Sequence, residues 1–246
     1  MHEHELWFTA LLNRFLAGPA NAALQLAGIH PHDPDKPWAN YMAMEVLVVL
    51  LILIAAPLIR SRFSVDKPGA TQQIFEGIYT FLRDLSRDVV GGDYRKHFPW
   101  FATIFLFVLC MNLLGLIPTF ESPTMFYQVP AGVALATFVY YNVAGIRKNG
   151  VLGHLKHFMG PVAIIAPFMF LIEIISHCIR PVSLTIRLYA NMLAGEQVTV
   201  SFIGLVPLLI PVAFMALHMF VSFVQAFIFS MLSMVYVGEA VVHEEH

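Results

Sequence analysis

Polar residues set inside an apolar stretch constrain this chain more than anything else in it. Residues 171–197 read LIEIISHCIRPVSLTIRLYANMLAGEQ, where Glu173, His177, Arg180, Arg187, Asn191 and Glu196 interrupt an otherwise greasy run. A charged side chain at mid-membrane costs roughly 2.5–3.5 kcal/mol on insertion scales, so several in one segment need a protein partner or a water-filled cavity. Their spacing is regular. Glu173, His177, Arg180, Leu184, Arg187 and Asn191 step by four, three, four, three and four, which keeps them on one helix face. A polar stripe carrying a permanent cation along an apolar helix points to an ion path.

The rest of the chain agrees that the solvent is lipid. Of 246 residues, 58% are hydrophobic and 12% charged, about half the charged share of a soluble domain. Fourteen Lys and Arg without a basic stripe exclude a nucleic-acid surface. Cys110 and Cys178 both sit in apolar runs and are expected as buried free thiols. No CxxC or HExxH occurs, and His2, His4, His243 and His246 read as solvated tails, so no metal site is expected. The start, MHEHELWF, has acids where a signal peptide needs cations. Leu6, Leu11, Phe15 and Leu16 suggest a short amphipathic helix ended by Gly18 and Pro19, and Pro31 to Pro37 reads as a loop.

Periodicity predicts an all-α membrane protein organised as one integral membrane domain over 1–246. Residues 1–40 form an external segment and 41–59 a first span, with Glu45 one turn from its start. Residues 71–90 carry Ile74, Ile78, Phe81, Leu82, Leu85 and Val89 as an apolar stripe among charges. That pattern suits a helix on the membrane surface, or one packed on its own protein. Residues 98–146 form a hairpin of two spans, 98–117 and 127–146. Residues 161–237 form a second hairpin, broken near Gly204, Pro207 and Pro211. Its first arm, 161–200, would be about 60 Å long as a helix, twice the ~30 Å hydrocarbon core. It must tilt, kink or divide, and Pro181 and Gly195 are the candidate kinks.

Seven Lys and Arg lie from Arg60 to Lys96, three from Arg147 to Lys156, and none from His97 to Ile146. The positive-inside rule puts the two basic stretches in the cytoplasm and the N-terminus outside. Parity then puts the C-terminus inside.

PVSLTIRLYANMLAGE (181–196), HMFVSFVQAFIFSMLSMVYV (218–237) and NLLGLIP (112–118) resemble subunit a of the F-type ATP synthases. The resemblance requires Arg187, Asn191, Gly195 and Glu196 in one helix and His218 and Gln225 in the next. It implies a bacterial plasma-membrane stator that leans a tilted hairpin against a rotating c-ring and also meets the peripheral-stalk subunit b and membrane lipid. Two offset aqueous half-channels would lead protons to the ring's carboxylates. It implies a non-catalytic subunit without cofactor, and the chain indeed lacks a GxxxxGK[ST] loop.

Under that resemblance Arg187 stabilises each passing ring carboxylate as an anion and blocks a leak between the half-channels. Glu196 and His218 exchange protons on the outer path. Asn191 and Gln225, with Ser183, hold water or hydrogen-bond the Arg187 head, or serve as interhelical glue. Gly195 permits close approach. Glu173, His177 and Arg180 form an internal salt-bridged group or line the inner half-channel, and Tyr236 reads as an interface anchor. Some relatives carry an acid at the position of Gly115, which cannot exchange protons here. Two other readings of the residues stay open: a self-contained secondary transporter, which often shows an internal repeat, and a non-conducting scaffold.

Overall fold

The computed structural model describes residues 6–26, 36–64, 68–117, 120–157, 166–203 and 209–241. Seven α-helices account for most of them: α1 (Trp7–Leu26), α2 (Asn40–Arg60), α3 (Ala70–Val90), α4 (Tyr94–Leu114), α5 (Gln128–His157), α6 (Ala166–Ile203) and α7 (Leu209–Val241). Short 3-10 turns at Gly91–Asp93 and Pro123–Met125 lead into α4 and α5. Five segments are long and apolar enough to cross a membrane: Asn40–Arg60, Ala70–Leu114 (α3 and α4 joined), Gln128–Val151, Phe168–Phe202 and Val212–Val241. The protein is an all-α, multi-pass membrane protein.

Helix α7 is the axis of the bundle, in contact with α3, α4, α5 and α6. Its packed face is broad and takes in His218, Gln225, Phe229 and Ser233. Ser222, Ala226, Ser230, Met234 and Val237 recur at three or four residues, and all are fully buried. Small side chains here let helices approach closely, which replaces the hydrophobic drive that lipid removes. On α4 the facing residues Phe101, Val108 and Met111 are fully buried, and Ser230 Oγ donates to the Phe101 carbonyl at 3.2 Å.

Cross-links fix which ends share a level. Lys148 Nζ reaches Asp93 Oδ2 at 2.7 Å, and Asn149 Nδ2 donates to the Ala240 carbonyl at 3.1 Å. The end of α3, the start of α4 and the ends of α5 and α7 therefore lie together, at the basic end. The turn at 123–125 packs against α2, α4 and α6 at the other end. Helix α1 joins it there, with Asn13 Oδ1 accepting from the Trp38 N–H at 3.0 Å.

Several expectations need correcting. Helix α1 runs through Gly18 and Pro19 to Leu26. A proline removes one hydrogen bond, but ANAALQL after it is rich in strong helix formers that carry the helix on. Helix α6 is one uninterrupted 38-residue helix with Pro181 inside, and Pro211 lies in the first turn of α7, where proline is tolerated. A rod of about 57 Å fits a ~30 Å core only by leaning or projecting. Among the described residues the interrupted helix is α5, at Gly150 (φ 70°). Cys110 and Cys178 are free thiols, but Cys178 is exposed on α6, facing what lipid or a partner would cover. Gly204, Pro207, most of the proline-rich loop and the four tail histidines lie outside the described residues. Helix α3 packs on α7 through its second half, where Leu82, Ser86 and Val90 are buried, and leaves Ile74 and Tyr79 exposed.

Candidate functional site

Helix α6 is the least covered of the five apolar segments. Leu184, Leu188 and Met192 form its packed edge, while Ile179, Val182 and Ile186 are exposed. The polar stripe includes Leu184 and runs along the seam between these faces, because at 100° per residue Arg180 and Arg187 turn away from Leu188 and Met192. Arg187 is half-buried on that seam, and Asn191 and Ser183 are exposed beside it. Among the described residues Arg187 makes no hydrogen bond or ion pair. Its charge is felt by Tyr236 of α7. Gln225 is buried and makes no hydrogen bond to Arg187.

Towards the basic end, about 10 Å along the helix from Arg187, lies a dense polar cluster. Arg180 meets Glu239 at 2.6 Å and Glu173 at 3.7 Å. Its guanidinium also stands 4.9 Å over the Tyr236 ring. The expected internal bridge to Glu173 is thus the weaker of two, and Tyr236 serves as a platform rather than an interface anchor. It also packs against Tyr141, with ring centroids 5.7 Å apart. His177 Nε2 lies 2.9 Å from Asn142 Oδ1 and 3.2 Å from the Tyr141 hydroxyl. Since Oδ1 only accepts, the first contact puts a proton on Nε2.

Towards the other end, about 12 Å beyond Arg187, α6 and α7 touch at Gly195 and His218. A Cβ at residue 195 would stand 3.1 Å from His218 Nδ1. A cavity of about 320 Å³ opens there, lined by Asn191, Gly195, Phe214, His218 and neighbours. His218 is 6% exposed, and its Nε2 is buried with no hydrogen-bond partner among the described residues. One turn on, the Ser222 hydroxyl is in the same condition. Such atoms are uncommon in native proteins, where water or a bound group normally supplies the partner. Glu196 does not bond His218. It is half-buried and lies near enough to Glu121 for the two charges to interact.

Sequence reading missed a buried polar thread leading to this place. Ser122 and Thr124 hydroxyls are 2.7 Å apart. Thr124 Oγ1 donates to Asn112 Oδ1 at 2.8 Å, and Asn112 Nδ2 reaches the Ser222 carbonyl at 3.4 Å. Asn112, Ser122, Thr124 and Ser222 are all fully buried. The thread begins in the turn beside Glu121 and ends one helical turn from His218. Asn112 stood out within its span, but its partners come from two other elements, and hydroxyls scattered through an apolar sequence carry no common period. The fold also accounts for Gly115, where a Cβ would stand 2.7 Å from the Ser122 Cβ. No group of three or more His, Cys, Asp or Glu that could hold a metal occurs among the described residues.

Comparison with known proteins gives one answer. The family model described as ATP synthase A chain matches residues 42–238. A protein named ATP synthase subunit a from Koribacter versatilis is 50% identical over 240 residues, covering 98% of each chain. One of the same name from Solibacter usitatus is 47% identical over 234 residues, covering 95% of this chain and all of that one. Another, from Aquifex aeolicus, is 41% identical over 189 residues. The helix bundle, the seam carrying Arg187 and these full-length similarities agree, and the chain belongs to the ATP synthase A chain family.

Proposed function

We propose that this chain is the proton-translocating stator subunit of an F-type ATP synthase, working against a rotating ring of membrane carboxylates. The observation that carries the reading is Arg187: a guanidinium with no ion partner among the described residues, set on a seam beside an uncovered apolar face, between two polar clusters. An arginine in that setting calls for an anion from another chain, because an unpaired charge facing hydrocarbon is strongly unfavourable. A carboxylate sweeping past would supply it intermittently. The guanidinium would hold that carboxylate ionised while it passes and release it as the next arrives.

In this reading the outer half-channel reaches the cavity at Asn191, Gly195 and His218, with Glu196 and Glu121 near its mouth. Gln225 and Ser183 flank Arg187. The inner half-channel runs by His177, Arg180 and Glu173 towards Glu239. The N-terminus faces outward and the C-terminus the cytoplasm of a bacterium, and subunit b and lipid cover other faces. ATP chemistry belongs to other chains.

The test is proton uptake by vesicles holding the assembled complex. Arg187→Ala is expected to abolish coupled uptake while the complex still assembles. Uptake that persists in Arg187→Ala supports the scaffold reading, and uptake by this chain without a ring supports the transporter reading. Either result overturns the proposal.

A further inference from the structure

At the basic end a second cavity, of about 550 Å³, lies among α4, α5 and the end of α7. Its rim carries Lys96, Arg147 and Lys148 against one acid, Asp93. Asp93 is shared between Lys148 at 2.7 Å and Lys96 at 3.5 Å. Arg147 is exposed and has no ion pair or hydrogen bond among the described residues. Three cations against one carboxylate leave a surplus of two positive charges. The remaining titratable neighbour, His97, is engaged by the Tyr140 hydroxyl at 2.9 Å.

The floor of this cavity is apolar, with Val143, Ala144 and Val241, and it continues. Leu135, Val139 and Val143 recur every four residues on α5, and each is exposed, at 57%, 52% and 39%. Arg147 is the next member of that series. One face of α5 therefore presents an uncovered apolar strip that ends in a cationic pocket. The strip from residue 135 to 147 is about 18 Å long, close to the ~15 Å depth of one leaflet's hydrocarbon. An indole–phenol stack, Trp100 on Tyr140 with centroids 4.2 Å apart, stands at the pocket, as aromatic side chains do at membrane interfaces.

We propose that this pocket and strip bind one anionic glycerophospholipid, its phosphate held by Arg147, Lys96 and Lys148 and an acyl chain lying along Val143, Val139 and Leu135. Basic pockets between membrane helices at the cytoplasmic side recognise acidic headgroups in this way. A free phosphate would use the cations and leave the strip bare. This inference stands apart from the proton path and does not depend on it.

The test uses the assembled complex with a photoactivatable phosphatidylglycerol carrying its reactive group on the acyl chain. Labelling is expected on residues 135–147, displaced by excess phosphatidylglycerol and left intact by phosphatidylcholine or inorganic phosphate. The double variant Lys96→Gln with Arg147→Gln is expected to lower labelling on the order of tenfold, as each basic residue near an anionic surface contributes. Arg147→Lys is expected to keep most of it. Val143→Trp, which fills the floor and leaves every charge in place, is expected to lower labelling in a complex that assembles normally. Equal competition by phosphatidylcholine, displacement by inorganic phosphate, or unchanged labelling in the charge variant would each overturn the proposal.

Discussion

The His218 imidazole fills the space that a side chain at residue 195 would need, with Nδ1 3.1 Å and Cε1 3.2 Å from where a Cβ would stand. Gly195 thus works by letting a titratable ring lie against the α6 backbone, between Asn191 and the buried Nε2 edge. Alanine at 195 adds a contact tighter than side chains normally make, and α7 must give or the ring must turn. Gly195→Ala is expected to lower proton uptake several-fold with little change in assembly, and Gly195→Leu to abolish it. Uptake in vesicles, beside the yield of assembled complex, checks both.

The thread from Thr124 through Asn112 to the Ser222 carbonyl has one donor direction. Asn112 Oδ1 accepts from Thr124, so the Thr124 proton is committed, and the single Ser122 proton is shared between the Met111 carbonyl at 3.1 Å and the Thr124 hydroxyl at 2.7 Å. Asn112→Leu leaves the Ser222 carbonyl and the Thr124 hydroxyl short of a partner in a fully buried place. The expected loss is about 1–3 kcal/mol of stability. Adding Thr124→Val should recover part of it, since removing both partners is milder than removing one. Thermal unfolding of the three variants measures the coupling.

How much could be read beforehand follows from which signals are local. The Arg187 stripe was legible because Glu173, Arg180, Arg187 and Asn191 share one period within one helix. The helix pattern was legible because lipid demands long apolar runs. Glu239 as the main partner of Arg180 was not, since it lies 59 residues away on another helix. Ser222 and Thr124 were hidden for the same reason: a lone hydroxyl in an apolar span gains meaning only from what packs against it. Pro19 misled because a local breaker was given more weight than the helix formers after it.

Arg180 is held by three weak contacts, two ion pairs and one aromatic ring. Its bond to Glu239 is short, but that carboxylate is half exposed, and exposed pairs contribute about 1 kcal/mol or less. Its stacking on Tyr236 is sheltered by the ring of Tyr141. Tyr236→Leu is therefore expected to destabilise the bundle more than Glu239→Gln. Raising the salt concentration should narrow the difference between wild type and Glu239→Gln, because only the ion pair is screened. Unfolding midpoints at low and high salt check the order.

Gly115 and Ser122 exclude each other's side chains. An aspartate at 115 would add a proton-exchanging group, yet its Cβ would stand 2.7 Å from the Ser122 Cβ and 3.3 Å from the Ser122 Cα. Gly115→Asp is expected to displace the turn at 123–125 and break the thread, with a stability loss of about 1–3 kcal/mol from overpacking. Gly115→Ala should lose a similar amount, which separates the steric cause from the charge. Matched unfolding curves for the two variants are the check.

Gly238 brings α7 onto the backbone of α3. A Cβ there would lie 2.9 Å from the Val89 carbonyl oxygen, and a backbone atom cannot swing aside as a side-chain tip can. Gly238→Ala must therefore lift the second half of α3, where Leu82, Ser86 and Val90 are buried. The expected loss is about 1–3 kcal/mol, with faster amide hydrogen exchange over residues 82–90 than elsewhere. Gly132 gives the control: it is also helical, but a Cβ there meets nothing within 4 Å. Gly132→Ala is expected to be neutral or slightly stabilising, since alanine is the better helix former. If Gly238→Ala matched it in both measurements, the close approach of α7 to Val89 would have no energetic weight.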